Sequence, residues 1–353
     1  MKALSKNTKN NIITFGLIVI VYVVIQLLLN AGAVPNLIAG LLVPLCMYII
    51  LAVSLNLTVG ILGELSLGHA GFMCVGAFSS AVFTKCMVGV MPDWLLFVIA
   101  ILIGALTAAV FGFLIGIPVL RLRGDYLAIV TLAFGEIIKN LITVVYLGRD
   151  ERGVHFSFEN TMDLGLSDAG EVIIKGAQGI TKTPQLSNFT VAVILLVITL
   201  IIVLNLVHSR TGRAVMAIRD DRIAAESVGL NITKFKLLAF SISAALAGVA
   251  GVLYAHNYTT LAADPKNFGY NMSIMILVYV VLGGIGNIRG SIISTIILVM
   301  LPELLRGLSD YRMLVYAIVL IVTMLINWSP KAIEVKEKIL AKLFKKGKKE
   351  GNR

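Results

Sequence analysis

Runs of about 20 apolar residues, each long enough to cross the hydrocarbon core of a bilayer as a helix, recur along the whole chain. Backbone in lipid must satisfy its own amides and carbonyls, so such runs become helices or closed barrels, and runs of this length become helices. Composition agrees: 58% of the 353 residues are hydrophobic and 14% charged, and the mean hydropathy is +0.94. The expected fold class is therefore an all-α polytopic membrane protein. Spans are expected at 11–29, 36–59, 65–86, 94–119, 126–147, 189–207, 237–257, 271–286, 290–305 and 312–328, about ten helices with ends good to a few residues. The first is preceded by Lys2, Lys6 and Lys9 and followed by Ala31-Gly32-Ala33, which imitates a secretory signal. Its apolar core is longer than a usual signal core and many spans follow, so it reads as an uncleaved helix.

The net charge of +11 does not point to nucleic acid, because the basic residues sit in turns and tails beside apolar runs. With the N-terminus inside, about 21 of the 30 Lys and Arg residues fall on the cytoplasmic side and about eight on the other. Ten spans put both termini in the cytoplasm, and both are Lys-rich. The transmembrane domain is expected at 1–330. The tail, 331–353, carries Ile333, Ile339, Leu340, Leu343 and Phe344 opposite its lysines, which predicts a basic amphipathic helix on anionic membrane lipid. Cys46, Cys74 and Cys86 lie in or beside apolar runs without metal-ligand spacing and read as small core residues.

Two polar stretches stand out. The stretch 148–188 is an external loop of about 40 residues, too long for a turn; Glu171–Ile174 followed by Gly176 predicts a short strand and turn. The stretch 209–236 holds Arg210, Arg213, Arg219, Arg222, Lys234 and Lys236, which places it in the cytoplasm. Ile218, Ala224, Ala225, Val228 and Leu230 recur there near helical spacing, and Gly229 before Asn231 reads as a helix stop. A compact amphipathic knuckle of this kind suits a coupling-helix loop pushed by a soluble partner; a solvated connection is the plainer alternative.

Within the apolar runs, glycines and charges need explaining. Gly60, Gly63, Gly68, Gly71 and Gly76 interrupt 55–78, and Gly283, Gly284, Gly286 and Gly290 interrupt 281–291. Gly-rich breaks in the two halves of a transporter mark backbone near the substrate path, although close helix packing explains glycine equally well. Glu64 and His69 lie in the first break, and Glu136 and Lys139 share one face of the fifth span. Ionisable groups at this depth either neutralise each other or line a polar path. Asp125 is placed to cap the fifth span. Gly104, Ala108, Gly112 and Gly116 form a ladder of small residues that admits a close neighbouring helix, and Ser243, Ala247 and Gly251 do the same on the seventh span.

The chain carries no phosphate-binding loop: Gly176 to Thr183 has Thr181 where the second glycine belongs. Gly284 to Gly290 is G-x-G-x-x-x-G within a membrane segment, not a dinucleotide fingerprint. With no catalytic triad or metal-cluster pattern either, the chain is expected to be no enzyme and to borrow its energy.

Four segments resemble a known family: SLNLTVGILGELSLGHAGFMCVGAF at 54–78, RGDYLAIVTLAFGEIIKNLI at 123–142, GRAVMAIRDDRIAAESVGLNITKFKLLAFSISAALAGVAGVLYA at 212–255 and VLGGIGNIRGSIISTIILVMLPELLR at 281–306. They are similar to the permease subunits of bacterial branched-chain amino-acid ABC importers, specifically the larger of the two paired permeases. The wider class has a cytoplasmic Glu-Ala-Ala-x-x-x-Gly motif that docks in the ATPase. Aligned on Gly229, Ile223 stands where the glutamate belongs, Ala224 and Ala225 follow, and Glu226 comes one step late. The resemblance implies coupling through Arg219, Ile223, Ala224, Ala225, Glu226 and Gly229. It also implies a second permease, two ATP-binding subunits that hold ATP and Mg, an external solute-binding protein, and residence in the bacterial cytoplasmic membrane. On this reading Glu64, His69, Glu136, Lys139, Gly283, Gly284 and Gly286 are candidates for the translocation path. The rivals are the same machinery carrying urea or short amides, an ion-coupled secondary transporter using the four ionisable residues, and a membrane scaffold.

Overall fold

The computed structural model describes residues 6–122, 124–167 and 170–305 and scattered positions from 311 to 325. The expected tenth span falls largely outside the described residues, and the tail 331–353 lies wholly outside them.

The chain opens with α1 (Lys6–Asn30), α2 (Asn36–Asn56) running on into a π turn (Leu57–Leu62), α3 (His69–Met87), α4 (Asp93–Val119) and α5 (Asp125–Val144). Strands β1 (Tyr146–Asp150), β2 (Gly153–Ser157), β3 (Glu171–Lys175) and β4 (Ile180–Thr181) follow. Then come α6 (Phe189–His208), α7 (Arg210–Asp220), α8 (Arg222–Ser227), α9 (Ile232–Ala255), β5 (Thr260–Leu261), α10 (Pro265–Phe268), α11 (Tyr270–Gly283) and α12 (Ile288–Leu304). Six of these, α2 with its π turn, α3, α4, α5, α6 and α9, are long and apolar enough to cross a membrane. The chain is a multi-pass membrane protein. Among the described residues these six meet both criteria; α1 has an apolar stretch over Thr14–Asn30, and α11 and α12 have 14 and 17 residues, a rise of about 21 and 26 Å against a core of about 30 Å.

Small residues decide the packing. Gly104, Ala108, Gly112 and Gly116 are all buried along one face of α4, and that face lies on α9. A Cβ built on Gly112 would stand 2.5 Å from the Cβ of Ala244, and one on Gly248 would stand 2.5 Å from the carbonyl oxygen of Gly104. Likewise, a Cβ on Gly251 would meet the carbonyl oxygen of Met73 at 2.0 Å, so α3 and α9 touch backbone to backbone. Lipid tails are as apolar as leucine, so helices in a membrane gain little from burial alone and associate through such close van der Waals contact.

At one end of the bundle, β1 pairs antiparallel with β2 (Tyr146 opposite Ser157) and with β3 (Tyr146 opposite Lys175). β4 pairs with β5. The expected strand at Glu171 is present. The hairpin of β1 and β2 is not expected from the sequence, and it ends the fifth helix at Val144 instead of 147. Lys85, near the end of α3, fastens the sheet to the bundle: Nζ donates to the Thr181 carbonyl at 2.8 Å and pairs with Glu171 at 3.1 Å. The other end carries α7 and α8. Asp125 makes no capping hydrogen bond; Gly124, at φ 59°, is the cap, and Asp125 is the first helical residue, where a carboxylate favours the positive end of the helix dipole.

Candidate functional site

The expected 209–236 knuckle is two helices, not one. Asp221 ends α7 and starts α8, its Oδ1 accepting from the amides of Ile223 (2.9 Å) and Ala224 (3.0 Å). α8 closes with two bonds: the Gly229 amide to the Glu226 carbonyl (3.0 Å) and the Leu230 amide to the Ala225 carbonyl (3.1 Å). This pattern needs a left-handed residue after the last turn, and Gly229 supplies it at φ 83°.

The apolar face read from the sequence divides in two. Ala225 packs inward with Ile218 and Ile232 against the partly buried Leu230, so it holds α8 in place and is not open to a partner, contrary to its expected place in the docking face. Ile223 (82% exposed) and Val228 (75%) face outward, with Ala224 and Glu226 also exposed. The spacing of six residues cannot tell the two faces apart when the helix has under two turns.

Arg219 leads from this knuckle into the bundle. Its Nη1 donates to the Gly60 carbonyl at 2.8 Å, while Nε and Nη2 hold the Asp220 carboxylate. Its stem lies over Gly63, where a Cβ would meet Arg219 Cγ at 2.4 Å. Glu64, a candidate for the path, is ion-paired with Lys236. Lys236, expected in the turn before the helix, lies in α9, where it is buried. A lysine buried beside a carboxylate is neutralised without water.

The first glycine-rich stretch is a break. The expected third helix begins at 65, but α3 starts at His69, and residues 63–68 are non-helical. Irregular backbone at membrane depth persists only when protein groups satisfy it, and two hydroxyls do so here. Thr131 Oγ1 of α5 accepts from the Leu67 amide (3.0 Å), and Ser273 Oγ of α11 accepts from the Ala70 amide (3.2 Å). His69 is fully buried, its Nε2 3.1 Å from Ser243 Oγ. The same hydroxyl receives a hydrogen bond from Thr58 Oγ1 (2.8 Å) and donates to the Ser54 carbonyl. Ser66 Oγ and His69 Nδ1 have no hydrogen-bond partner among the described residues.

The second glycine-rich stretch meets the first at Asn56. Its Oδ1 accepts from the Gly286 amide at 2.8 Å and its Nδ2 donates to Ser291 Oγ at 2.9 Å. Gly60 lies on this contact: a Cβ there would stand 2.4 Å from the Gly286 nitrogen. Gly284 and Gly286 make the turn between α11 and α12 at φ 94° and 81°, and Gly283 lets α12 approach, since its Cβ would meet the Ser291 nitrogen at 2.3 Å. Of the two readings of the glycines, close packing is what these contacts show, with Gly284 and Gly286 also making the turn.

Glu136 and Lys139 form an ion pair, with side chains 25% and 8% exposed. Glu136 also reaches a neighbouring helix, where its Oε1 accepts from the amide of Tyr270 at 2.7 Å, the first residue of α11. α5 thus caps α11 with a negative charge at its positive end. Seven further residues at the site were not singled out for it from the sequence: Asn56, Ser54, Thr58, Thr131, Ser273, Ser291 and Lys236. Ser243, which reads from spacing as a packing residue alone, belongs with them. Single small polar residues inside apolar runs carry no spacing signal.

The result is a continuous polar seam from α7, through the break, to the α11–α12 turn. The chain is 36% identical to the high-affinity branched-chain amino acid transport system permease protein LivM of Salmonella typhimurium over 295 residues, covering 81% of this chain and 67% of that protein. The LivM protein of Escherichia coli is also 36% identical, over 296 residues, 81% of this chain and 67% of that protein. The permease protein LivH of Salmonella typhimurium is 24% identical over 259 residues, 71% of this chain and 79% of that protein. No solved structure matches the chain. A family model matches residues 37–324, and the chain belongs to that family, the permease component of the branched-chain amino acid transport system.

Proposed function

We propose that this chain is the translocating permease subunit of an ATP-driven importer that carries leucine, isoleucine and valine. It works beside a second permease, two ATP-binding subunits that hold ATP and Mg, and an external binding protein. The end with α7 and α8 lies in the cytoplasm and the sheet faces outward, as the excess of Lys and Arg near α7 and α8 supports. The observation that supports the reading best is the bond from Arg219 to Gly60. A displacement of α8 by a closing ATPase pulls on α7, and Arg219 passes it to the π turn, against which Gly286 and the α11–α12 turn are packed. The seam then opens alternately to either side, a population shift between two packings.

Reconstitution tests this directly. Proteoliposomes holding the chain, its second permease, both ATPases and the binding protein should take up leucine only with ATP, and the chain alone should take up none. Uptake by the chain alone would show an ion-coupled transporter. Uptake of urea but not leucine by the complete system would overturn the cargo.

A further inference from the structure

A sizeable groove lies outside the seam. α4 and α6 stand apart on the outer side of α9 and leave a groove of about 1010 Å³ between them. Leu102 and Ile198, on its two walls, are 63% and 44% exposed, and Ala245 and Leu246 of α9 form the floor. Asp93, Gln185 and Asn188 gather at one mouth, where both helices begin, and Thr199 of α6 is the polar residue deeper in the lining. Among the described residues Asp93 carries the one charge in the lining, and no Lys or Arg reaches it.

We infer that this groove holds an acyl chain of a phospholipid whose amine headgroup, of the ethanolamine type, sits at Asp93. Length supports this. The lining runs from Asp93 to Ala105 on α4 and from Asn188 to Ile202 on α6, about 18 and 21 Å of helix. Half the hydrocarbon core is about 15 Å, so polar mouth and apolar trough match the headgroup and tail of one leaflet. The wall chemistry favours a flexible tail over a protein helix. The small-residue ladder of α4 is spent on α9, and the groove shows Val98, Ile101, Leu102, Ile194 and Ile198, without the small residues at four-residue spacing that a docking helix requires. Charge decides the headgroup: a lone carboxylate beside two amides attracts an ammonium and repels a second anion.

Trp94, 70% exposed, reports from the mouth. The chain has two tryptophans, so Trp328→Phe leaves Trp94 alone. The full chain with that change goes into phosphatidylcholine bilayers with rising fractions of phosphatidylethanolamine or phosphatidylglycerol brominated on the acyl chain. Brominated phosphatidylethanolamine should quench Trp94 at mole fractions about two- to fivefold lower, the range a partly exposed ion pair supplies. Asp93→Asn should bring the two lipids to parity, Asp93→Glu should keep the preference, and Ala245→Leu, which raises the floor, should abolish it. Equal quenching in the Trp328→Phe chain, or a preference for phosphatidylglycerol, would overturn the headgroup assignment. Absence of quenching by either lipid would show that a protein segment covers the groove and would overturn the proposal.

Discussion

Arg219 and Gly60, 159 positions apart in the chain, are joined by a guanidinium-to-carbonyl hydrogen bond of 2.8 Å. The acceptor is backbone in a π turn, and the donor sits in the last turn of the helix that leads to α8. A hydrogen bond from a charged group contributes about 1.5–3 kcal/mol, enough to hold two elements in register and small enough to be remade in a second state. Arg219→Ala is expected to leave insertion and assembly intact and to lower ATP-driven uptake by about tenfold or more, with Arg219→Lys intermediate because lysine lacks the fork that holds Asp220 as well. Uptake and ATP hydrolysis measured on the same preparation check this: equal loss of both would mean failed docking, not failed transmission.

Gly229 gives a cleaner test of the α8 exit. Among the described residues nothing lies within 4 Å of a Cβ built there, so within this chain the effect of a substitution is conformational, not steric. A left-handed conformation costs an L-residue about 1–2 kcal/mol, more for a β-branched one, and asparagine tolerates it best. Gly229→Val should therefore insert but lose most substrate-stimulated ATP hydrolysis in the reconstituted complex, and Gly229→Asn should keep it. Wild-type stimulation in Gly229→Val would sink the assigned role of this turn.

What could be read from the sequence was local. The ladder on α4, the left-handed stop at Gly229 and the pairing of Glu136 with Lys139 each depend on residues within a turn or two of one another, where helical spacing fixes the geometry. Asn56 and Ser291 lie 235 positions apart, and neither looks unusual in its own run. The pair of Glu64 with Lys236 is hidden by a boundary: α9 begins at Ile232, not at 237, so Lys236 lies inside the bundle. The inward turn of Ala225 escapes a reading of the segment as one helix, because Asp221, which breaks it, looks like one more charge in a charged loop.

Orientation is tested with single cysteines. Ser167 and Ser227 are both exposed, one in the sheet-bearing segment and one at the end of α8. In a chain with Cys46, Cys74 and Cys86 replaced, a cysteine at 167 should react with an impermeant thiol reagent on intact cells whose outer envelope admits it, and one at 227 only after lysis. The opposite pattern would reverse the assignment of both ends.

The last expectation concerns Lys139, which is nearly buried and has Glu136 as its anion. Removing one partner of a buried pair costs about 3–5 kcal/mol, because the other charge is left without compensation. Glu136→Gln strands the lysine and should deplete the assembled complex strongly. Lys139→Met strands a carboxylate that keeps the Tyr270 amide and is one quarter exposed, so its cost should be smaller. Glu136→Gln with Lys139→Met should restore both assembly and uptake, since the glutamine oxygen can still accept from Tyr270. Glu136→Leu with Lys139→Met should recover less, by the ~1–3 kcal/mol of an amide left without an acceptor. Assembled complex and uptake, quantified in the same strains, distinguish this from a path role: residues that line the path would leave assembly normal in each single variant, stop uptake alone, and show no rescue in either double.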